Sequence, residues 1–218
     1  MTSLTVVPYS GAASTTTSSA FTPTGCSTLA YGPKLAVQAA VKYGDGSTQL
    51  TSTISQNSGE AATKQMTLTM PSLTPRSDVQ SRECAQADVT TCPATSVVGS
   101  ATAVSPLSAN ALTGKVIITK PASSSSSLPG LAVVFPAPFP IVLTGTTALV
   151  SNTIQTTFAG MPDVPLTSTT VMIAGGSDSM FVSGWSLCAN NSTATGAFTG
   201  QNGGTSSTTV PVATTCSF

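Results

Sequence analysis

Apolar and polar side chains alternate along much of this chain. In Gln65-Met-Thr-Leu-Thr-Met70, Met66, Leu68 and Met70 fall on one side and the threonines on the other. A period of two sends successive side chains to opposite faces of a strand, so the segment reads as a half-buried β-strand. The same reading predicts strands at 2–9, 34–43, 49–56, 96–104, 114–120, 131–135, 141–144, 148–152, 153–158, 169–174, 180–187, 194–199 and 208–214. Segment 34–43 is compatible with helix or strand. The turn signal Gly44-Asp-Gly-Ser47 behind it and its apolar/small alternation favour strand. Turn residues, such as Gly175-Gly176 and Asn202-Gly-Gly204, separate the later segments.

No long stripe of period 3.6 occurs, so helix is nearly absent. Short strands at roughly 8–12-residue spacing predict an all-β fold, a sandwich or barrel-like antiparallel architecture, of which an antiparallel β-sandwich, either one or two in tandem, is the expectation. The texture changes near residue 92, with most charges before it and apolar, Thr-rich strands after it. The expected organisation is an extended N-terminal segment and linker at 1–20, a first β unit at 21–92 and a main sandwich at 93–218.

Composition narrows the chemistry. The 218 residues include no histidine and only seven basic and seven acidic side chains. Without His there is no Ser-His-Asp or Cys-His nucleophile system and no His-bearing metal site. Seven scattered cations make no basic patch, which excludes nucleic acid as an expected partner. The densest charge, Arg76 to Asp88, has mixed signs and reads as a solvated loop or helical turn. The most apolar stretch, 128–144, is broken by prolines, so no membrane-spanning helix is expected. Residues following Met1 are polar and lack a basic n-region, so they do not read as an export signal. Serine, threonine, glycine and alanine replace the missing charges. Such a surface is solvated without strong self-repulsion, which favours association.

The five cysteines are Cys26, Cys84, Cys92, Cys188 and Cys216, with no C-x-x-C pair. Sparse cysteines in a Thr/Ser-rich β chain fit disulfides in an oxidising compartment. The preferred pairs are Cys84–Cys92, closing a short loop, and Cys188–Cys216, tying a late strand to the C-terminal end. Cys26 is then left over, as a buried thiol or as a link to another chain. The expected location is extracellular or at the cell surface.

Several stretches resemble a group of secreted actinobacterial-type cell-surface proteins. They are 92–107 (beginning Cys-Pro-Ala-Thr-Ser-Val-Val-Gly), 112–118, 128–131, 154–166 (with Thr-Thr-Phe-Ala-Gly-Met-Pro-Asp-Val-Pro-Leu), 186–188 and 198–203 (Phe-Thr-Gly-Gln-Asn-Gly). The resemblance covers most of 84–218 and only loosely 1–80. It implies a secreted, disulfide-bearing β protein, and it carries no catalytic residue onto this chain.

Individual candidates read mostly as structure. Asp163, held between Pro162 and Pro165, suits a rigid corner better than a calcium or glycan ligand. Asp178 after Gly175-Gly-Ser suits a turn better than a calcium site, which needs six to eight oxygens. No pair among Asp45, Glu60, Asp78, Glu83, Asp88, Asp163 and Asp178 stands in a hydrolase motif. Trp185 reads as packing on the disulfide at Cys188 rather than as a sugar platform. Asn190 and Asn191 open overlapping N-x-[ST] sequons. Lys115 or Lys120 with Asn110 or Asn152 could form an isopeptide link, but spacing alone gives no support.

Residues 2–9 differ in kind. A β-competent segment carrying Leu4, Val6, Val7 and Tyr9, followed by the loose tract 10–20, can leave its own domain and add to a neighbour's sheet. The leading expectation is therefore a non-enzymatic extracellular structural protein, the subunit of a filament, sheath or adhesive surface layer. Its partner would be itself, as a homopolymer, and it would use no cofactor. A carbohydrate- or surface-binding module, with glycans as partners, is the second expectation, and a phage or virus surface protein is a variant of the first.

Overall fold

The computed structural model describes residues 2–19, 24–42, 44–70, 73–85, 87, 89–121, 128–136, 140–151, 153–183, 186–189 and 191–217. Two strands at the N-terminus, β1 (Thr2–Val6) and β2 (Thr15–Ser19), form a sheet of their own. The next strands are β3 (Lys34–Lys42), β4 (Ser47–Ser55), β5 (Thr63–Met70) and the short β6 (Leu73–Pro75). After a 3-10 turn at Ser77–Arg82 come β7 (Val97–Val104), β8 (Leu112–Thr119), β9 (Gly130–Phe135), β10 (Ile141–Val150) and β11 (Thr153–Phe158). The chain finishes with β12 (Ser168–Ile173), β13 (Phe181–Ser183), the four-residue helix α1 (Ser186–Ala189), β14 (Thr193–Gly200) and β15 (Thr205–Ser217).

The large sheet is a closed barrel of 11 strands, which corrects the expected sandwich. The order is β12-β7-β8-β9-β10-β11-β5-β14-β15-β3-β4, and closure comes from β12 pairing β4 as well as β7. β13 and β6 continue the sheet as a spur from β4. Closure joins the first and last strands of the barrel, the two edges that an open sheet would leave unpaired. One ladder is parallel: β15 pairs antiparallel with β14 through residue 211 and then parallel with β3 through residues 212–217. Strands from before and after residue 92 interleave, with β5 seated between β11 and β14 and β4 beside β12. Residue 92 therefore separates no sheets.

Burial follows the pattern that predicted the strands. In β3, Leu35, Val37, Ala39 and Val41 face inward and are buried, while Lys34, Ala36, Gln38, Ala40 and Lys42 face outward. Inward residues from all around the barrel meet in one core that includes Met66, Val116, Ile118, Val133, Ile154, Phe158 and Phe198. A smaller cluster lies on the outer wall. There the Cys84–Cys92 disulfide loop packs Cys84 and Val89 onto Ile117 and Ala132. Backbone bonds from Cys84 N to Ile118 O and from Lys120 N to Cys84 O fix that loop to β8.

Three glycines make room for the large rings of the interior. A Cβ at Gly114, Gly145 or Gly196 would stand 2.9, 2.7 or 2.6 Å from the ring of Phe135, Phe158 or Phe198 respectively. Rings laid over glycine backbone fill volume that no second side chain could share. Segment 159–167 closes one end of the barrel. Met161, Pro162, Val164 and Leu166 line a residual apolar cavity of about 40 Å³ there. Bonds from Met161 N to Lys64 O, from Gln201 Nε2 to Met161 O and from Ser105 Oγ to Pro165 O hold the segment.

Candidate assembly surface

The N-terminal hairpin stands apart from the barrel sheet. Thr2 pairs with Ser19 and Val6 with Thr15, a five-residue antiparallel ladder. Segment 10–20, expected to be loose, thus supplies the second strand. Strand pairing sorts the side chains. Leu4 and Val6 share a face with Thr15 and Thr17, while Ser3 and Thr5 share the other with Thr16 and Ser18. The Thr5 and Thr16 hydroxyls are 3.0 Å apart and hydrogen-bonded on the polar face. This small sheet is amphipathic, yet its apolar face is uncovered: Leu4 is 61% exposed and Val6 52%. Val7 and Tyr9 lie beyond β1 in the connecting turn, which Gly11 N closes onto Pro8 O, and Tyr9 is fully exposed. The structure thus places all four predicted assembly residues, exposed, on one hairpin, although only Leu4 and Val6 belong to the strand.

The barrel wall explains how so uncharged a chain stays solvated. Across β8, β7, β12, β4 and β3 runs an outer row Thr113–Thr102–Thr170–Thr53–Ala36. A second row, Thr146–Thr157–Thr67–Ala197–Ser207, crosses β10, β11, β5, β14 and β15. Neighbouring hydroxyls bond across the strands, Thr53 to Thr170 at 3.0 Å and Thr67 to Thr157 at 2.9 Å. Such pairs satisfy each other and still offer lone pairs to water.

Among the described residues, grooves lie at two places on this wall. One, of about 580 Å³, runs beside the disulfide loop; Val89, Val97, Ile117 and Val134 give it an apolar floor, and Thr90, Thr113 and Lys115 are among its other lining residues. The other, of about 470 Å³, crosses β15, β3 and β4 and is lined by Gln38, Gln49, Thr51, Thr215 and small residues.

The disulfides are Cys84–Cys92 and Cys188–Cys216, as the sequence predicts. Cys216 lies beside Val41 in the parallel ladder, so its bond to Cys188 pins the strand that joins β14 to β3. Cys26 is exposed, which removes the buried-thiol reading.

The charged segment does more than meet solvent. Arg82 donates to Thr95 O at 2.6 Å and to Val97 O at 3.1 Å, and its guanidinium lies 3.6 Å from Asp178. Arg76 grips Asp78 through two bonds of 3.0 and 2.7 Å and holds that carboxyl below the usual carboxylate range. Asp45 is also lowered, chiefly by the backbone hydrogen bond from Ser47. Burial pushes the Glu83 carboxyl up, against the opposing pull of Lys120. Burial also raises Tyr31, whose hydroxyl bonds Thr63 at 3.2 Å.

Asp178 ends a 3-10 turn at Gly176–Asp178 rather than a hairpin, and Asp163 sits exposed in the segment that closes the barrel. Segment 180–187, expected as one strand, divides into β13 and the start of α1. Among the described residues, no three of His, Cys, Asp and Glu come together as a metal site, and no helix is long and apolar enough to cross a membrane. Asn191 is exposed before β14, whereas Asn190, Trp185, Asn152 and Asp88 lie outside the described residues.

Comparison with known proteins adds no relative: no family model, no curated protein and no solved structure matches the chain. What the fold and surface define is a disulfide-pinned closed β-barrel carrying a detached, amphipathic N-terminal hairpin.

Proposed function

We propose that this protein is a non-enzymatic structural subunit of the cell exterior, building a filament, sheath or adhesive layer through its N-terminal β segment. The observation that carries the reading is the uncovered face of the hairpin, Leu4 and Val6, with Val7 and Tyr9 at its tip. An isolated two-stranded sheet is marginal in water. An apolar face on such a sheet is stabilised only when something covers it. The hairpin has no charged side chain between residues 2 and 19, so no charge repulsion opposes its contact with another copy of this chain, whose net charge is zero. The two disulfides suit an oxidising compartment, and the extracellular or cell-surface location belongs to the same proposal.

Strand addition takes a modified form here. β1 already pairs with β2, so the element offered to a neighbour is a two-stranded sheet rather than a single strand. Size-exclusion chromatography with light scattering, followed by negative-stain microscopy, tests this on the full chain and on a form lacking residues 1–20. The full chain is expected to give polymers and the shortened form a monomer. Monomers in both cases would overturn the reading and turn attention to glycan binding at the groove of Gln38, Gln49, Thr51 and Thr215.

A further inference from the structure

Among the described residues, no residue of β15 belongs to two ladders. Its first part pairs with β14 through Pro211, and its last part, Val212 to Ser217, pairs with β3 alone. The wall between β14 and β3 is therefore a staggered seam. It is held by the chain passing from Pro211 to Val212, by a bond from Val212 N to Ser192 O, and by the Cys188–Cys216 disulfide. We infer that residues 212–217 are a strap able to leave β3, and that Cys188–Cys216 is the redox latch that keeps it shut. The inference concerns closure of the barrel and is independent of the assembly reading above.

The strap is lightly held. Its ladder is parallel, the weaker kind per residue. None of its residues is buried, and its apolar contacts with the core come from Val212 and Cys216, both only partly buried. The Thr215 and Ser217 hydroxyls donate to Ala39 O and Val41 O at 3.5 and 3.4 Å, near the long limit for such bonds. Pro211 has no N–H, so backbone bonding is thinnest where the strap begins. The opposite edge of β3 is antiparallel to β4 from Lys34 to Val41 and keeps that strand in place.

The other side of the latch is firm. Cys188 sits on α1, and its neighbour Leu187 is buried in the core. When the bond opens, the strap moves and α1 stays. Access also favours this bond. Cys188 is exposed, whereas at the other bridge Cys84 is buried and Cys92 half-buried. Exchange requires a thiolate to reach a disulfide sulfur, so a small dithiol attacks Cys188–Cys216 first.

In that step the S–S bond breaks, Cys188 and Cys216 each end as a thiol, and the dithiol becomes a cyclic disulfide. Residues 37–42 then lose their partner on one side. Their backbone groups open to water, and the inward-facing Val37, Ala39 and Val41, buried in the closed barrel, are uncovered along that edge. An oxidising medium shuts the seam and a reducing one opens it.

The test uses the full chain carrying Cys26→Ser, which removes the exposed thiol that would exchange with either bridge. Brief treatment with rising dithiothreitol, then alkylation and peptide mass mapping, is expected to label Cys188 and Cys216 before Cys84 and Cys92. Hydrogen exchange is then followed on the partly reduced protein and on a form that also carries Cys188→Ser and Cys216→Ser. Exchange at residues 37–42 and 212–217 is expected to rise on the order of 100-fold. Val116, Ile118 and Val133 should exchange as slowly as before, which shows the rest of the barrel folded, and reoxidation of the reduced protein should restore slow exchange at the seam. Unchanged exchange at residues 37–42 in the serine form overturns the inference, because the strap then holds without its bond. Equal loss of protection throughout the barrel overturns it too, since the bond then staples the whole fold instead of one seam. Labelling of Cys84 and Cys92 first would remove the assignment of Cys188–Cys216 as the bond that responds to a reducing medium.

Discussion

The ring of Phe158 lies against Gly145 across the β10–β11 ladder, so close that a Cβ on Gly145 would stand 2.7 Å from the ring. The two residues belong to one interior row, which continues through Met66 and Phe198. Gly145→Ala is therefore an overpacking change, expected to destabilise the barrel by about 1–3 kcal/mol. Phe158→Ala removes the ring and is expected to cost about 3–5 kcal/mol. The double variant should cost less than the sum, because the added methyl then enters vacated space. Urea denaturation of the four proteins checks this, and strict additivity would contradict the proposed contact.

That pair also shows what the sequence reveals and what it hides. Alternation locates the strands well, since inward and outward residues of β3 follow it position by position. Gly145 misleads, because glycine inside an apolar run reads as a break. The sequence predicts two segments, 141–144 and 148–152, where one strand runs from Ile141 to Val150. Glycine here serves the ring opposite, a relation between residues 13 positions apart. Closure is equally invisible to local pattern. A sandwich and a barrel alternate alike, and the difference lies in Thr170 pairing with both Thr53 and Thr102. The short Cys84–Cys92 loop is legible from spacing. The hairpin is half legible: Leu4 and Val6 announce β1, but β2 is Thr-Thr-Thr-Ser-Ser and has no apolar residue to reveal it.

The two disulfides should differ in worth. In the chain-entropy account a bridge stabilises more as its loop grows. Separations of 8 and 28 residues then imply about 2.5 kcal/mol for Cys84–Cys92 and about 3.5 kcal/mol for Cys188–Cys216. Losing the second also frees the strand that bridges β14 and β3. Paired Cys→Ser variants, compared by guanidinium denaturation, should rank in that order. A larger loss from the shorter loop would show that the outer-wall cluster governs stability.

Stability should be nearly flat between pH 6 and 8, because the chain has no histidine to titrate there. Asp45 and Asp78 are lowered, so their contribution is present above the ordinary aspartate range and is lost as pH falls through their depressed values. Both are fully exposed, and the effect is small. Glu83 is raised, so its contribution is fullest below the ordinary glutamate range and fades as pH rises through its elevated value. These opposing trends confine the expected pH dependence to the acidic side of pH 6. Thermal melts across pH 3–8 check it, and a slope between pH 6.5 and 8 would contradict it.

Deleting residues 1–20 should leave the barrel as stable as before, within about 0.5 kcal/mol. The hairpin forms its own sheet and contributes no strand to the large one. Urea denaturation of the shortened chain, at concentrations where the full chain is dispersed, measures this. A loss of several kcal/mol would mean that the hairpin packs on its own barrel.

Hydrogen exchange at the β1–β2 amides, followed as protein concentration rises, tests the central claim most directly. A lone two-stranded ladder opens readily, so in dilute solution the amides of residues 2–6 and 15–19 should exchange fast. Docking onto another copy slows that exchange. The account predicts protection of these amides growing with concentration, while barrel amides such as those of Val116 and Ile118 stay protected throughout. Rapid exchange of the hairpin at every concentration would contradict it.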